Sequence, residues 1–160
     1  MDLSNKKFLL IGGAGFIGSH TAELLVKHDV KEILIYDNFT RGKIKNLNNI
    51  INDKRVKIFE LAGDICQPDL LSKSMENIDG VFHFAALWLL HCQDFPESAF
   101  KTNIEGTFNV LNSCLKNNIK KLVFSSSASV YGDAKFEPMT EEHPLNNKNF
   151  YGATKICGEA

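Results

Sequence analysis

Short apolar runs alternate with helical patterns along the whole chain. Phe8-Leu9-Leu10-Ile11 is apolar throughout and reads as a strand buried on both faces. A helical pattern follows to about His28, and Glu32 to Tyr36 reads as a second strand. Arg55–Leu61, Gly80–Ala86 and Lys120–Ser125 predict a third, fourth and fifth strand. Pro68 to Glu76 reads as a short helix with proline in its first turn. Phe100, Ile104, Phe108, Leu111 and Leu115 recur at spacings of four, four, three and four, which predicts a long helix. A final helix begins near Tyr151. This alternation predicts an α/β fold, a doubly wound parallel sheet of Rossmann type, occupying residues 1–160 as a single domain. Ligands of such sheets sit at the C-terminal ends of the strands, near the switch in strand order.

Those ends carry the informative residues. After the first strand comes Gly12-Gly13-Ala14-Gly15-Phe16-Ile17-Gly18, with Gly12, Gly15 and Gly18 three apart. A strand, a tight glycine turn and a helix would aim backbone N–H groups and the positive helix end at one spot, which suits a pyrophosphate. Lys6-Lys7 before an apolar stretch also resembles the start of a signal peptide. Against that, four of the eleven residues from Phe8 to Gly18 are glycine and no clean cleavage site follows. Asp37 closes the second strand nineteen residues beyond Gly18, near the offset at which an acid meets the adenosine ribose hydroxyls. A carboxylate there favours NAD and repels the 2′-phosphate of NADP, although Arg41 nearby could serve such a phosphate.

Composition narrows the partners. The 160 residues carry a formal net charge of −1 with mixed signs, so no basic face points to nucleic acid or an anionic membrane. The longest apolar run, Val81 to Leu90, is broken by His83 and too short to span a bilayer. The four cysteines (Cys66, Cys92, Cys114, Cys157) form no CxxC pair and read as reduced thiols of a cytoplasmic protein. The histidines show no ligand spacing, and no metal is expected, His91-Cys92 included.

Candidate chemistry lies in the last thirty-five residues. Ser125-Ser126-Ser127-Ala128-Ser129-Val130-Tyr131-Gly132 closes the fifth strand, and Tyr151 and Lys155, four apart, share one helix face. A neighbouring ammonium is expected to favour the tyrosine phenolate, and a serine hydroxyl could bind the same substrate oxygen. Tyr-x-x-x-Lys on an amphipathic helix is also compatible with simple packing and a solvated lysine.

Taken together, these motifs resemble the N-terminal part of an extended short-chain dehydrogenase/reductase, in the NAD-dependent sugar-nucleotide epimerase/dehydratase family. The resemblance implies a Ser127–Tyr151–Lys155 triad and a cradle of Gly12, Gly15, Phe16, Ile17 and Gly18 for NAD. It also implies Asp37 and Asn38 at the ribose and Asp64 and Ile65 at the adenine. Phe84, Ala85 and Ala86 would lie along the cofactor, with Asn103 close to it and Lys155 on the nicotinamide ribose. In similar enzymes the long helix and the Tyr151 helix pair with their copies, so a homodimer is expected.

The residues after the serine separate the family's reactions. Similar 4,6-dehydratases carry Asp-Glu there, and similar decarboxylases keep a glutamate; this chain has Ala128-Ser129. That implies oxidation and re-reduction at one carbon of a UDP-sugar, as in enzymes like UDP-glucose 4-epimerase, with a transient 4-keto intermediate. Family members continue into further strands and a lobe that holds the nucleotide-sugar, whereas these residues end at Ala160 inside the Tyr151 helix. The 160 residues alone are therefore expected either to turn over UDP-sugars negligibly or to serve as a silent NAD-binding module.

Overall fold

The computed structural model describes residues 2–160 and separates them into two compact units, residues 2–85 with 109–125 and residues 86–108 with 126–160. The first unit is a five-stranded parallel sheet. Its strands are β1 (Lys7–Ile11), β2 (Glu32–Tyr36), β3 (Val56–Ile58), β4 (Gly80–His83) and β5 (Lys121–Phe124), in the spatial order β3-β2-β1-β4-β5. The order reverses between β1 and β4, so the C-terminal end of β1 lies at the switch point.

Alternation along β1 builds both layers of the core. Phe8 and Leu10 face one side with Ile33 and Ile35, against Ala22 and Leu25 of helix α1 (Phe16–Val26). Leu9 and Ile11 face the other with Val81, against Leu71 of α2 (Pro68–Ser74) and the nearby Met75. β1 is apolar throughout because both its faces are covered. β3 is shorter than Arg55–Leu61 because, at the sheet edge, it pairs only with Ile33, Leu34 and Ile35 of β2.

The second unit holds α3 (Leu89–Asp94), α4 (Pro96–Ala99), a π-helical turn (Phe100–Glu105) and α6 (Phe150–Glu159). α6 starts where Asn149, as N-cap, accepts a hydrogen bond from the Gly152 N–H at 2.8 Å. The long helix expected around Phe100–Leu115 is present as α4, the π turn and α5 (Gly106–Lys116), but its apolar stripe is not its buried side. Phe100, Phe108, Leu111 and Leu115 are exposed, while Asn103, Thr107, Val110, Ser113 and Cys114 are buried. The periodicity is that of a helix, and small or polar residues make its inward contacts.

Candidate functional site

The glycine turn of the first unit is shaped by close approach. Gly12 has φ +78°, and a Cβ there would lie 2.7 Å from the Ala85 nitrogen. Phe84 and Ala85 both donate to the Ile11 carbonyl, at 2.8 and 3.1 Å, so the exit of β4 stays bonded to β1. A Cβ on Gly18 would sit 2.3 Å from the Gly12 oxygen, which makes glycine the residue that seats α1 on the turn. At Gly15 an added Cβ would meet only the Gly12 oxygen, at 3.2 Å. No side chain caps the N-terminus of α1 and no acid lies in its first turn, while Phe16 and Ile17 are exposed there.

Asp37 ties this turn together. Its buried carboxylate accepts from the Ala14 N–H at 2.9 Å and from the Phe39 N–H at 2.8 Å. The Ala14 carbonyl in turn accepts from the Lys43 N–H and the Asn46 amide. Asn38 is exposed and caps the Thr40 N–H at 3.1 Å. Asp64 accepts from the Cys66 N–H, its carbonyl accepts from the Tyr36 hydroxyl at 2.8 Å, and Ile65 is buried beside it. Tyr36, Asn46 and Gly42, where a Cβ would fall 2.6 Å from an Asp37 carboxylate oxygen, are supporting residues that sequence reasoning missed. Only the apolar setting of Tyr36 just before the acid hinted at one of them. An uncapped helix N-terminus, an open face at Gly15 and a carboxylate at the next strand end together fit a dinucleotide with its pyrophosphate at the turn.

The second unit brings Ser127, Tyr151 and Lys155 together. Ser127 follows β5 and caps a single 3₁₀ turn, Ala128–Val130, where its Oγ accepts the Ser129 N–H at 3.2 Å. The Ser127 hydroxyl lies near enough to the Tyr151 phenol to favour its ionised form. Gly152 lets α6 close onto the serine turn, since a Cβ there would lie 2.5 Å from the Ser129 oxygen. Lys155 is buried, and its Nζ lies 5.8 Å from the centre of the Tyr151 ring.

The electrostatics differ from the expectation. Burial raises the Tyr151 phenol above its ordinary value; the nearby Ser127 hydroxyl opposes this and the Cys92 thiol adds to it. Burial also pulls the Lys155 ammonium down to about 8, with the Cys92 sulfur opposing. Desolvation is thus the largest influence on the tyrosine in this chain.

Asn103, turned inward by the π turn, holds the Leu87 backbone at both N–H (2.7 Å) and carbonyl (3.0 Å) and donates to Thr154 Oγ1 at 3.2 Å. Its amide also reaches the buried Cys92 sulfur at 3.4 Å. Ala86 is half-buried in the same unit. Among the described residues, no cluster of three or more His, Cys, Asp or Glu could hold a metal ion, and no helix is long and apolar enough to cross a membrane.

A family model described as GDP-mannose 4,6 dehydratase matches residues 9–160. A UDP-glucose 4-epimerase from Lactobacillus helveticus is 41% identical over 96% of this chain and 45% of its own length. A UDP-N-acetylglucosamine 4-epimerase structure from Methanobrevibacter ruminantium superposes with a TM-score of 0.89 and 36% identity, covering 98% of this chain and 49% of that one. A dTDP-glucose 4,6-dehydratase from Streptomyces venezuelae, solved with NAD, gives 0.89 and 29%, covering 96% and 49%. The chain spans about half the length of the curated relatives it matches. A match that runs from Leu9 to Ala160 takes in both compact units, and the chain belongs to the NAD-dependent epimerase/dehydratase family.

Proposed function

We propose that this chain supplies the cofactor-binding and proton-transfer residues of an NAD-dependent nucleotide-sugar 4-epimerase, with a UDP-hexose as substrate. The observation that carries the reading is the serine turn itself: Ser127 lies beside the Tyr151 phenol, and the two residues after it, Ala128 and Ser129, offer no carboxyl group. Removing water across C5–C6 needs an acid and a base at that place, whereas epimerisation needs only a proton shuttle at one oxygen. NAD, when bound, supplies reversible two-electron oxidation at the sugar carbon. Gly12, Gly15 and Gly18 would hold its pyrophosphate, and Asp37 its adenosine ribose.

With the Ser129 N–H on its lone pair, Ser127 turns its own proton toward the phenol or the sugar 4-hydroxyl. Tyr151 takes the proton from that hydroxyl as C4 is oxidised and returns it when C4 is reduced on the other face. Lys155, charged below about 8, stabilises the phenolate while the proton is away. The test is the product formed from UDP-glucose by this chain completed with the C-terminal part of the L. helveticus enzyme. UDP-galactose without net NADH is expected, and a 4-keto-6-deoxy sugar would overturn the reading.

The exposed face of α5 supports a homodimer. Phe108, Leu111 and Leu115 lie on one side of the helix in solvent, as an interface requires and a monomer surface does not favour. Sedimentation should give a dimer at micromolar concentration and a monomer for Leu111→Glu. A wild-type monomer would count against this assembly.

A further inference from the structure

Residues 131–149 join the serine turn to α6 and contain neither helix nor strand. Of these nineteen residues one alone is buried, His143, at 3% exposure. Its Nε2 accepts the Lys135 N–H at 2.9 Å and its Nδ1 lies 2.9 Å from the Pro144 carbonyl. An imidazole that accepts at one nitrogen and meets a carbonyl at the other is neutral, with its proton on Nδ1. The ring packs edge-on to Tyr131 with centroids 5.5 Å apart and lies 4.8 Å from the Phe136 ring.

Both ends of the segment lead to the reacting residues. Tyr131 closes the serine turn, its N–H donating to the Ala128 carbonyl at 3.1 Å. Gly132, at φ +63°, touches the other arm so closely that a Cβ would fall 2.0 Å from the Asn146 oxygen. The Asn147 amide then donates to the Asn149 carbonyl, and Asn149 caps α6 two residues before Tyr151. The single buried side chain of the segment thus stands where its two arms meet.

We propose that His143 is a positioning residue: in its Nδ1–H form it clamps the 131–149 segment and thereby holds Ser127 against Tyr151. The consequence for catalysis rests on the epimerase reading; the clamp itself does not. His143→Phe keeps a ring but removes both hydrogen bonds, and His143→Gln keeps an acceptor within reach of Lys135. In the 160-residue chain, His143→Phe should speed hydrogen exchange at the Lys135 amide roughly tenfold or more. It should also move the Tyr151 phenol titration upward, because the Ser127 hydroxyl that draws it down is no longer held beside it. His143→Gln should restore most of both.

Nitrogen-15 shifts of the wild-type imidazole should report the Nδ1–H form, a measurement that needs no variant to fold. Nε2–H in the wild type would overturn the proposal. So would faster Lys135 exchange in His143→Phe with an unmoved Tyr151 titration, since the clamp would then be local. None of these readouts uses turnover, so an unexpected product from the completed enzyme would fault the reaction while leaving the clamp standing.

Discussion

Tyr151→Phe in the completed enzyme should lower kcat by about 10²–10⁴-fold, the usual contribution of a positioned acid–base group. The ring and its packing on α6 persist, so the lost hydroxyl should cost no more than about 1 kcal/mol of stability. NAD affinity should change little, because the glycine turn and Asp37 belong to the other unit. A rate within threefold of wild type would remove Tyr151 from the chemistry. Lys155 adds a pH signature of definite sign. Its ammonium is drawn down from the ordinary 10.5 to about 8, so the folded chain gives up a proton before the unfolded chain does. Stability should therefore rise with pH between about 8 and 10.5 on account of this group, and Lys155→Met should lack that rise. Below about 8 the buried charge is present in the folded chain and its desolvation cost is constant.

Gly18→Val should have the largest effect on the cofactor half. Even a Cβ would lie 2.3 Å from the Gly12 oxygen and 2.7 Å from the Gly13 Cα, both backbone atoms. The helix must move off the turn, at a cost of about 1–3 kcal/mol for overpacking. Displacing the α1 N–H groups from the pyrophosphate position should weaken NAD binding by roughly a hundredfold or more, since charge-assisted hydrogen bonds contribute most there. Calorimetric titration of wild type and variant checks this. NAD binding at wild-type strength in Gly18→Val would mean that the cofactor does not rest on this turn. NADP should bind more weakly than NAD to the wild type, because the Asp37 carboxylate would face the added phosphate.

The sheet was readable in the sequence because short apolar runs and glycine spacing are local signals. β2 spans Glu32–Tyr36 as its apolar run indicates, and the acid that follows it is buried against Ala14. The face of the long helix was not readable. Its spacing of apolar residues specifies a helix but not which side meets protein, and here Thr107 and Ser113 go inside while Phe108 and Leu115 go out. A π turn leaves no mark in such spacing either, yet it aims Asn103 at Leu87 and Thr154. The sign of the Tyr151 shift was missed because the sequence brings Lys155 onto the same helix face but says nothing of how deeply both are desolvated. His143 lay hidden for a similar reason: a lone histidine in a polar stretch shows its neighbours only once the segment is folded around it.

The path of the hydrogen at C4 tests the central reading most directly. UDP-glucose carrying deuterium at C4 would be given to this chain completed with the C-terminal part of the L. helveticus enzyme. Oxidation and re-reduction at a single carbon predict UDP-galactose with the deuterium still at C4. Deuterium transferred to C6, in a 4-keto-6-deoxy product, would contradict it.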